Sequence, residues 1–142
     1  MKASARNVFE GTVSSVHSGT VNAEVGVELP SGDKLVAVIT VDSVKSLQLT
    51  PGKPVLALIK APWVMLMTDA GGIRLSARNC LAGKVTSVNA GAVNAEVVVN
   101  LPGGTEFVAI VTNDAVAELG LAPGVAASAV IKASNIILGV PA

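Results

Sequence analysis

The sequence predicts a mainly β chain that contains two tandem copies of one small domain, and three observations support this prediction. The 142 residues repeat themselves at a shift of 72 positions, because the segment at Ser4 returns at Ser76. Residues 22–29 alternate between apolar and polar side chains, which is the period of a strand with one buried face. Hydrophobic residues make up 51% of the chain and aromatic residues only 2%, so the core must consist of Val, Ala, Leu and Ile. The β-branched members of this set favour strands.

The repeat divides the chain near its middle. Ser4-Ala5-Arg6-Asn7 returns as Ser76-Ala77-Arg78-Asn79, and the match continues without a gap. Residues 21–25 match 93–97, Leu29-Pro30 matches Leu101-Pro102, and Ile59-Lys60-Ala61 matches Ile131-Lys132-Ala133. The copies are joined by the turn-rich segment 68–72, which contains two adjacent glycines. We therefore predict a first domain over residues 1–70 and a second over residues 71–142.

Strand patterns occupy the first half of each copy. In the first copy, residues 11–16 form a short strand pattern that ends at the turn Ser18-Gly19. In the next strand, four apolar side chains share one face: Ala23, Val25, Val27 and Leu29. Pro30 to Asp33, replaced by Pro102-Gly103-Gly104 in the second copy, predicts a hairpin turn into a strand over residues 35–40.

A short helix and a last strand complete each copy. Val44 and Leu47 are three residues apart, which predicts one helix over residues 42–47, with Thr40 or Asp42 near its start. Pro51-Gly52 ends this segment, and the final strand is predicted over residues 55–59, continuing past Lys60 to residue 67. Five short strands, with one helix between the third or fourth strand and the last, are typical of an OB-like barrel. The predicted fold is two tandem OB-like five-stranded barrels, each with one short helix.

Composition excludes several classes of protein. The formal net charge is zero, so no global positive field attracts DNA or an acidic membrane surface. The single cysteine, Cys80, cannot form an intramolecular disulfide, and the first residues lack the apolar stretch of a secretory signal. No apolar segment is long enough to span a membrane as a helix. We expect a cytoplasmic protein without a membrane partner, and its high apolar content predicts a homo-oligomer.

The repeat also tests candidate catalytic residues, because a residue needed in both copies should occur in both. His17 is replaced by Asn89, and Cys80 by Val8, so neither recurs. We interpret His17 as an exposed residue and Cys80 as a small apolar filler, and no His or Cys spacing predicts a metal site. Glu24 recurs as Glu96, and we interpret both as structural or solvated residues rather than general bases. The sequence predicts no enzyme.

A polar set suited to a tetrahedral oxyanion does recur. It consists of Ser4, Arg6, Thr40 and Lys60, and in the second copy of Ser76, Arg78, Thr112 and Lys132. Hydroxyl groups donate hydrogen bonds, while Arg and Lys neutralise charge. Each lysine interrupts an apolar stretch, where a charge is costly unless it is paired, although a solvent-facing strand position explains the lysines equally well.

The predicted helix start adds backbone N–H donors near Thr40 and Ser43. In the second copy Ala115 replaces Ser43, which removes one hydroxyl group. The two anion sites are therefore expected to differ in strength.

At these residues the sequence resembles the bacterial molybdate-binding Mop family, or molbindins. The resemblance covers nearly the whole chain, twice. It rests on Ser-Ala-Arg-Asn followed by Gly-x-Val, on Val-Asn-Ala-Glu-Val, on Thr40 and Thr112 after apolar strands, and on Ile-Lys-Ala. It implies OB-like domains around a threefold axis in a homotrimer, no catalytic cofactor, and molybdate or tungstate bound for intracellular molybdenum storage or homeostasis.

The resemblance also implies which residues bind the anion. An interface site falls on residues of one domain facing those of a neighbour: Ser4, Arg6, Asn7, Thr40, Ser43 and Lys60, with Ser76, Arg78, Asn79, Thr112 and Lys132 from the second copy. A second site near the threefold axis falls on the turns before Val-Asn-Ala-Glu: Gly19, Val21 and Asn22, with Gly91, Val93 and Asn94. Selection of molybdate over sulfate would then depend on the size of the cavity.

Two other functions are compatible with the predicted fold. OB-like barrels often bind single-stranded nucleic acid, but this binding uses aromatic platforms and a basic groove. Two Phe, one Trp and zero net charge argue against a nucleic-acid partner. A pure oligomerisation module is the other alternative.

Overall fold

A computed structural model describes residues 2–68 and 73–141. The described chain is mainly β, as predicted, and its elements recur at the same spacing in both repeats. The first repeat contains β1 (Asn7–Ser18), β2 (Asn22–Glu28), β3 (Lys34–Thr40), α1 (Val41–Ser46), β4 (Pro54–Ile59) and β5 (Met65–Met67). The second contains β6 (Asn79–Ala90), β7 (Asn94–Asn100), β8 (Glu106–Thr112), α2 (Asn113–Leu119), β9 (Ala126–Ile131) and β10 (Ile137–Gly139).

The strands form two five-stranded sheets in two compact units. The first unit comprises Met1–Ile59 with Lys132–Ala142, and its sheet has the order β10-β4-β1-β2-β3. The second comprises Lys60–Ile131, and its sheet has the order β5-β9-β6-β7-β8. Within each sheet every neighbouring pair is antiparallel, and the prediction of tandem OB-like domains agrees with this arrangement.

The period-two pattern correctly identified the buried face of β2. Ala23, Val25 and Val27 are buried, whereas Asn22 and Glu28 at the strand ends are exposed. The hairpin turn after β2 is closed by the Leu29 N–H, which donates to Asp33 O at 2.9 Å. The equivalent face of β7 is buried in the same way.

Each repeat contributes its last strand to the other repeat's sheet. The first repeat was predicted to keep a single final strand that runs to residue 67, and this prediction was wrong. β4 ends at Ile59, the chain makes one 3-10 turn over Ala61–Trp63, and β5 then pairs with β9. In the same way β10 pairs with β4. An apolar run alone does not distinguish a continuous strand from two short elements joined by a turn.

A close backbone approach explains the recurring glycine on the first strand of each repeat. A Cβ atom on Gly11 would lie 2.7 Å from Val27 Cγ1 and 2.9 Å from Glu28 O. On Gly83 it would lie 2.5 Å from Asn100 O. Any larger side chain would therefore push the paired strands apart.

Two further sequence predictions concern boundaries. The helix was predicted over residues 42–47 with Thr40 or Asp42 near its start, and α1 spans Val41–Ser46 with Thr40 as its N-cap. The predicted domain boundary near residue 70 lies outside the described residues and stays a prediction. None of the helices in the described ranges has the length and apolarity needed to cross a bilayer.

The strand exchange predicts where a core substitution acts. Leu138 lies in β10 and is buried, so Leu138→Ala should destabilise the protein by about 2–4 kcal/mol through the cavity it leaves. Hydrogen exchange should then accelerate in β4, its pairing partner.

The matched control is Leu66→Ala, because Leu66 is the equivalent buried residue of β5. It should accelerate exchange in β9 instead. Faster exchange in β9 for Leu138→Ala, with β4 unchanged, would contradict the observed pairing.

Candidate functional site

The ends of β1 and β6 are held by two buried asparagines. Asn7 is 2% exposed, and its Nδ2 donates to Ile59 O at 3.2 Å. Asn79 is equally buried and donates to Ile131 O at the same distance. Both were predicted as anion ligands from the family resemblance. In the described chain their amide groups fasten the first strand of each repeat to the strand beside it.

Exposed polar residues precede each of these strands. Ser4 and Arg6 lie before β1, and Ser76 and Arg78 lie before β6. Asn7 pairs with Ile59 in an antiparallel register, so the residues before β1 and those after β4 are at the same end of this strand pair. The buried amide of Asn7 therefore fixes the end of β1, and the exposed residues Ser4 and Arg6 lie directly before it.

Lys60 and Lys132 follow strands rather than interrupting them. Each is exposed and stands directly before a 3-10 turn. Of the two interpretations left open, the exposure of both lysines agrees with the solvent-facing one, although neither lysine lies within a strand, because the strands end one residue earlier. The Lys60 ammonium lies 5.7 Å from the centre of the Trp63 ring, a cation–π distance, whereas the second repeat has Asn135 in place of the ring.

The compact units group the lysines differently from the repeats. The 3-10 turn after Lys132 packs against β3, which ends at Thr40, within the first unit. The 3-10 turn after Lys60 packs against β8, which ends at Thr112, within the second unit. Each unit thus combines the threonine of one repeat with the lysine of the other.

Thr40 and Thr112 cap the two short helices. The Ser43 N–H donates to Thr40 Oγ1 at 3.0 Å, and the Thr40 hydroxyl donates to Ser43 Oγ at 2.8 Å. In the second repeat the Ala115 N–H donates to Thr112 Oγ1 at 3.1 Å. The expected backbone donors at residues 43 and 115 are therefore occupied by the caps.

The two caps differ in which hydroxyl group can donate to an external acceptor, because Ala115 replaces Ser43 in the second repeat. Ser43 accepts the hydroxyl proton of Thr40 and retains its own proton for an external acceptor. Thr112 has no serine beside it, so its hydroxyl proton is directed to no side chain within residues 2–68 and 73–141. Each cap thus offers one hydroxyl proton, at a different position in the two repeats.

The turns predicted as the second site have the same backbone bonds in both repeats. Gly19 N–H donates to Asn22 O at 2.8 Å, and Gly91 N–H donates to Asn94 O at 2.7 Å. The residues at their tips, Val21 and Val93, are 68% and 70% exposed. Each turn therefore presents an apolar side chain at its tip.

Sequence reasoning missed Asn113, which lies beside the second of these turns. Its Nδ2 donates to Gly91 O at 3.0 Å, and its backbone N–H donates to Val93 O at 2.9 Å. Its Oδ1 is buried without a hydrogen-bond partner in the described structure, which costs about 1–3 kcal/mol. The first repeat has Val41 at this position, and a search for residues common to both copies discards Asn113 for that reason.

Other candidate chemistry is limited. His17 is exposed, as expected. Cys80 is also exposed, so its interpretation as a small apolar filler was wrong. Among residues 2–68 and 73–141, no group of three or more His, Cys, Asp or Glu side chains could hold a metal ion. A cavity of about 780 Å³ in the second unit, lined by residues such as Lys84, Asn100 and Pro123, includes none of the predicted site residues.

Comparison with known proteins identifies the two repeats. The TOBE domain family matches residues 3–66 and 75–138. The molybdenum transport protein ModE of Azotobacter vinelandii is 46% identical over 140 residues, which cover 99% of this chain and 52% of that protein. The molybdenum-pterin-binding protein MopA of Rhodobacter capsulatus is 44% identical over 141 residues, which cover 99% of this chain and 53% of that protein. The chain spans about half the length of these curated relatives.

One similar structure matches nearly the whole of this chain. It is a crystal structure of the cytoplasmic molybdate-binding protein ModG with molybdate bound, 64% identical, with a TM-score of 0.95. The match covers 99% of this chain and 100% of that chain. The resemblance to molybdate-binding Mop proteins, stated from sequence motifs, is confirmed.

The hydrogen bond from Asn7 to the Ile59 carbonyl leads to a stability prediction. Asn7→Ala removes the donor to the Ile59 carbonyl and leaves that oxygen buried without this bond. The free energy of unfolding, measured by chemical denaturation, should fall by about 1–3 kcal/mol. Asn22→Ala, at an exposed position, serves as the control and should change it by less than about 0.5 kcal/mol. Equal effects of the two substitutions would exclude a structural role for the Asn7 amide.

Proposed function

This chain belongs to the TOBE domain family, and we propose that it binds molybdate as an intact oxyanion, without covalent chemistry. The observation that carries the proposal is its 64% identity, over 99% of this chain and 100% of the other, to a protein whose crystal structure contains bound molybdate. Both repeats also retain the residues from which an oxyanion site can be built. Their serine, arginine and lysine positions are identical in the two copies.

The polar residues suit a tetrahedral dianion. Arg6 and Lys60, with Arg78 and Lys132, provide positive charge and directed N–H donors. Ser4 and Ser76 add hydroxyl donors. None of these groups forms a covalent bond to molybdenum in this proposal, because hydrogen bonds to the four oxygens suffice to hold the anion.

Exposure of the polar residues supports a site that is completed by another copy of the chain. Ser4, Arg6, Thr40 and Lys60 are all exposed, so water would compete for an anion bound by a single chain. A neighbouring copy that covers them would exclude water and strengthen each charge-assisted bond. We therefore propose a homotrimer with interface sites on these residues and their counterparts, and with further sites at the Gly19–Asn22 and Gly91–Asn94 turns.

Exposed apolar residues support the same assembly. The large side chains with more than half of their surface exposed include Val21, Met65, Ile73, Val93 and Ile137. Burial of such side chains between copies would favour association, since each buried aliphatic side chain contributes about 1.5–3 kcal/mol. A zero net charge adds no global repulsion between copies.

The proposed role is storage or buffering of molybdenum in the cytoplasm. Tungstate has the same tetrahedral geometry and charge as molybdate and should bind to the same groups. Sulfate is smaller, so a site whose donors are spaced for molybdate would leave some of its oxygens without full hydrogen bonds. Discrimination would then arise from the spacing of the donors rather than from the charge of the anion.

Calorimetric titration with molybdate tests the binding proposal. Lys60→Ala or Lys132→Ala should each weaken one class of site about ten- to hundredfold, because a charge-assisted hydrogen bond contributes about 1.5–3 kcal/mol. Lys84→Ala, at an exposed lysine outside the predicted set, should leave the titration unchanged. Tungstate should compete with molybdate, and sulfate should compete poorly.

Two outcomes of this titration would count against the proposal. An absence of heat and of retained molybdenum after dialysis of the wild-type chain would exclude molybdate binding. Equal weakening by Lys60→Ala and by the Lys84→Ala control would exclude the assignment of Lys60 to a site.

Sedimentation equilibrium tests the proposed trimer, since one chain has a mass of 14.2 kDa. The wild-type protein should sediment as three chains. Val93→Asp places a charge at an exposed apolar position and should shift the distribution towards smaller species. Thr50→Asp, at an exposed loop position, is the control. A wild-type protein that sediments as one chain at all concentrations would exclude the trimer.

A further inference from the structure

Asn113 of α2 holds the turn between β6 and β7, and its role in anion binding, argued below, rests on the proposed function. In this turn the Gly91 carbonyl oxygen accepts a hydrogen bond from Asn113 Nδ2 at 3.0 Å. The Val93 carbonyl oxygen accepts from the Asn113 backbone N–H at 2.9 Å. One residue of α2 therefore holds two carbonyl groups of the turn.

The direction of the Gly91 carbonyl determines the direction of the next N–H group. A trans peptide is planar, so the Ala92 N–H points opposite to the Gly91 C=O. With the carbonyl bonded to Asn113, the Ala92 N–H is directed away from α2. Within the described ranges this N–H donates to no protein group, and Ala92 is exposed.

Without the side-chain bond the same peptide has more freedom. Rotation of the Gly91–Ala92 peptide changes ψ of Gly91 and φ of Ala92, and on the Gly91 side no Cβ atom opposes it. Rotation would turn the carbonyl oxygen towards the position of an anion and the N–H away from it. The bond from Asn113 disfavours this rotation before any ligand binds.

The first repeat is an internal control for this bond. Its turn has the equivalent backbone bonds, from Gly19 N–H to Asn22 O and from Val41 N–H to Val21 O, each 2.8 Å long. Val41 has no side-chain donor, so it cannot hold the Gly19 carbonyl. The two turns differ in this bond although their backbone pairing is the same.

The Oδ1 atom of Asn113 makes asparagine costly at this position. This oxygen is buried without a partner in the described structure, which is unfavourable for folding. Valine at the equivalent position of the first repeat avoids this cost. Asparagine at position 113 therefore carries a folding cost that valine at position 41 does not.

We propose that Asn113 is a positioning residue for oxyanion binding. It orients the Gly91–Ala92 peptide so that the Ala92 N–H donates to the anion, and it makes the second-repeat turn a tighter site than the first-repeat turn. The ligand class is a tetrahedral oxyanion, with molybdate as the probe. Asn113 itself does not contact the anion.

The experiment exchanges the two residues in the full-length chain. Asn113→Val, Val41→Asn and the double exchange are compared with wild type by amide ¹H–¹⁵N spectra during titration with molybdate. In wild type the Ala92 amide proton should shift downfield on binding. Asn113→Val should reduce this shift and weaken binding at the turn about three- to tenfold, the range expected for one oriented hydrogen bond.

The reciprocal variant should have the opposite effect at the other turn. Val41→Asn supplies a donor for the Gly19 carbonyl, so the Thr20 amide proton should respond to molybdate more strongly than in wild type. The melting temperature provides the second readout. Asn113→Val should keep or raise it while binding weakens, a combination that a purely structural role does not produce.

If wild type shows no heat with molybdate, both the proposed function and this inference are overturned. If wild type binds but the Ala92 amide does not respond, or responds equally in Asn113→Val, the inference fails and the proposed function stands. If Asn113→Val does not fold, Asn113→Leu, which is closer in shape, replaces it and is judged by the same two readouts.

Discussion

The exchange of edge strands between the two repeats is the constraint on which the rest of the structure depends. β10 and the residue before it bring Leu138 and Ile136 into the core of the first unit, and Leu66 and Val64 occupy the equivalent places in the second. Burial of each of these side chains contributes about 1.5–3 kcal/mol. Because each repeat gives up its own last strand, neither sheet is complete without residues from the other repeat. The fusion of the two copies in one chain supplies the missing strand without the entropic cost of association.

The exchange also determines where the two lysines lie. The chain passes from the first unit to the second at Lys60 and returns at Lys132. Both residues stand at the end of a strand and before a 3-10 turn, where a charged side chain reaches solvent. Each lysine therefore joins the unit that contains the threonine cap of the other repeat. A site that needs a lysine and a threonine would combine residues from both repeats as a consequence of the topology.

Much of the fold could be predicted from the sequence, because local patterns identify strands. The alternation in residues 22–29 identified the buried face of β2, and the sequence after β3 identified Thr40 near the helix start. The partner of the last strand could not be predicted. The two repeats are so similar that β5 can make equivalent pairings with β4 or with β9, and a local pattern contains no information about which copy supplies the partner. The position of Lys60 was misjudged for a related reason, since the turn at Ala61–Trp63 lies within an apolar run.

The site was less predictable than the fold, because the comparison of repeats selects what they share. It retained the recurring serine, arginine and lysine residues, and it discarded Asn113 because Val41 occupies the equivalent position. Yet residues that differ between copies are the ones that can make two sites unequal.

A protein assembled from identical single-domain chains cannot have two sites made unequal by such a difference, because every copy carries the same substitution. Fusion of the repeats removes that restriction. In this chain Lys60 lies by Trp63 while Lys132 has Asn135 beside it, and the donor of a cap hydroxyl proton is Ser43 in one repeat and Thr112 in the other. Two sites of unequal affinity fill and empty over a wider range of ligand concentration than two equal sites do, because each responds mainly near its own dissociation constant. Divergence between the repeats is therefore a physical route by which a binding protein can buffer its ligand over a broader range.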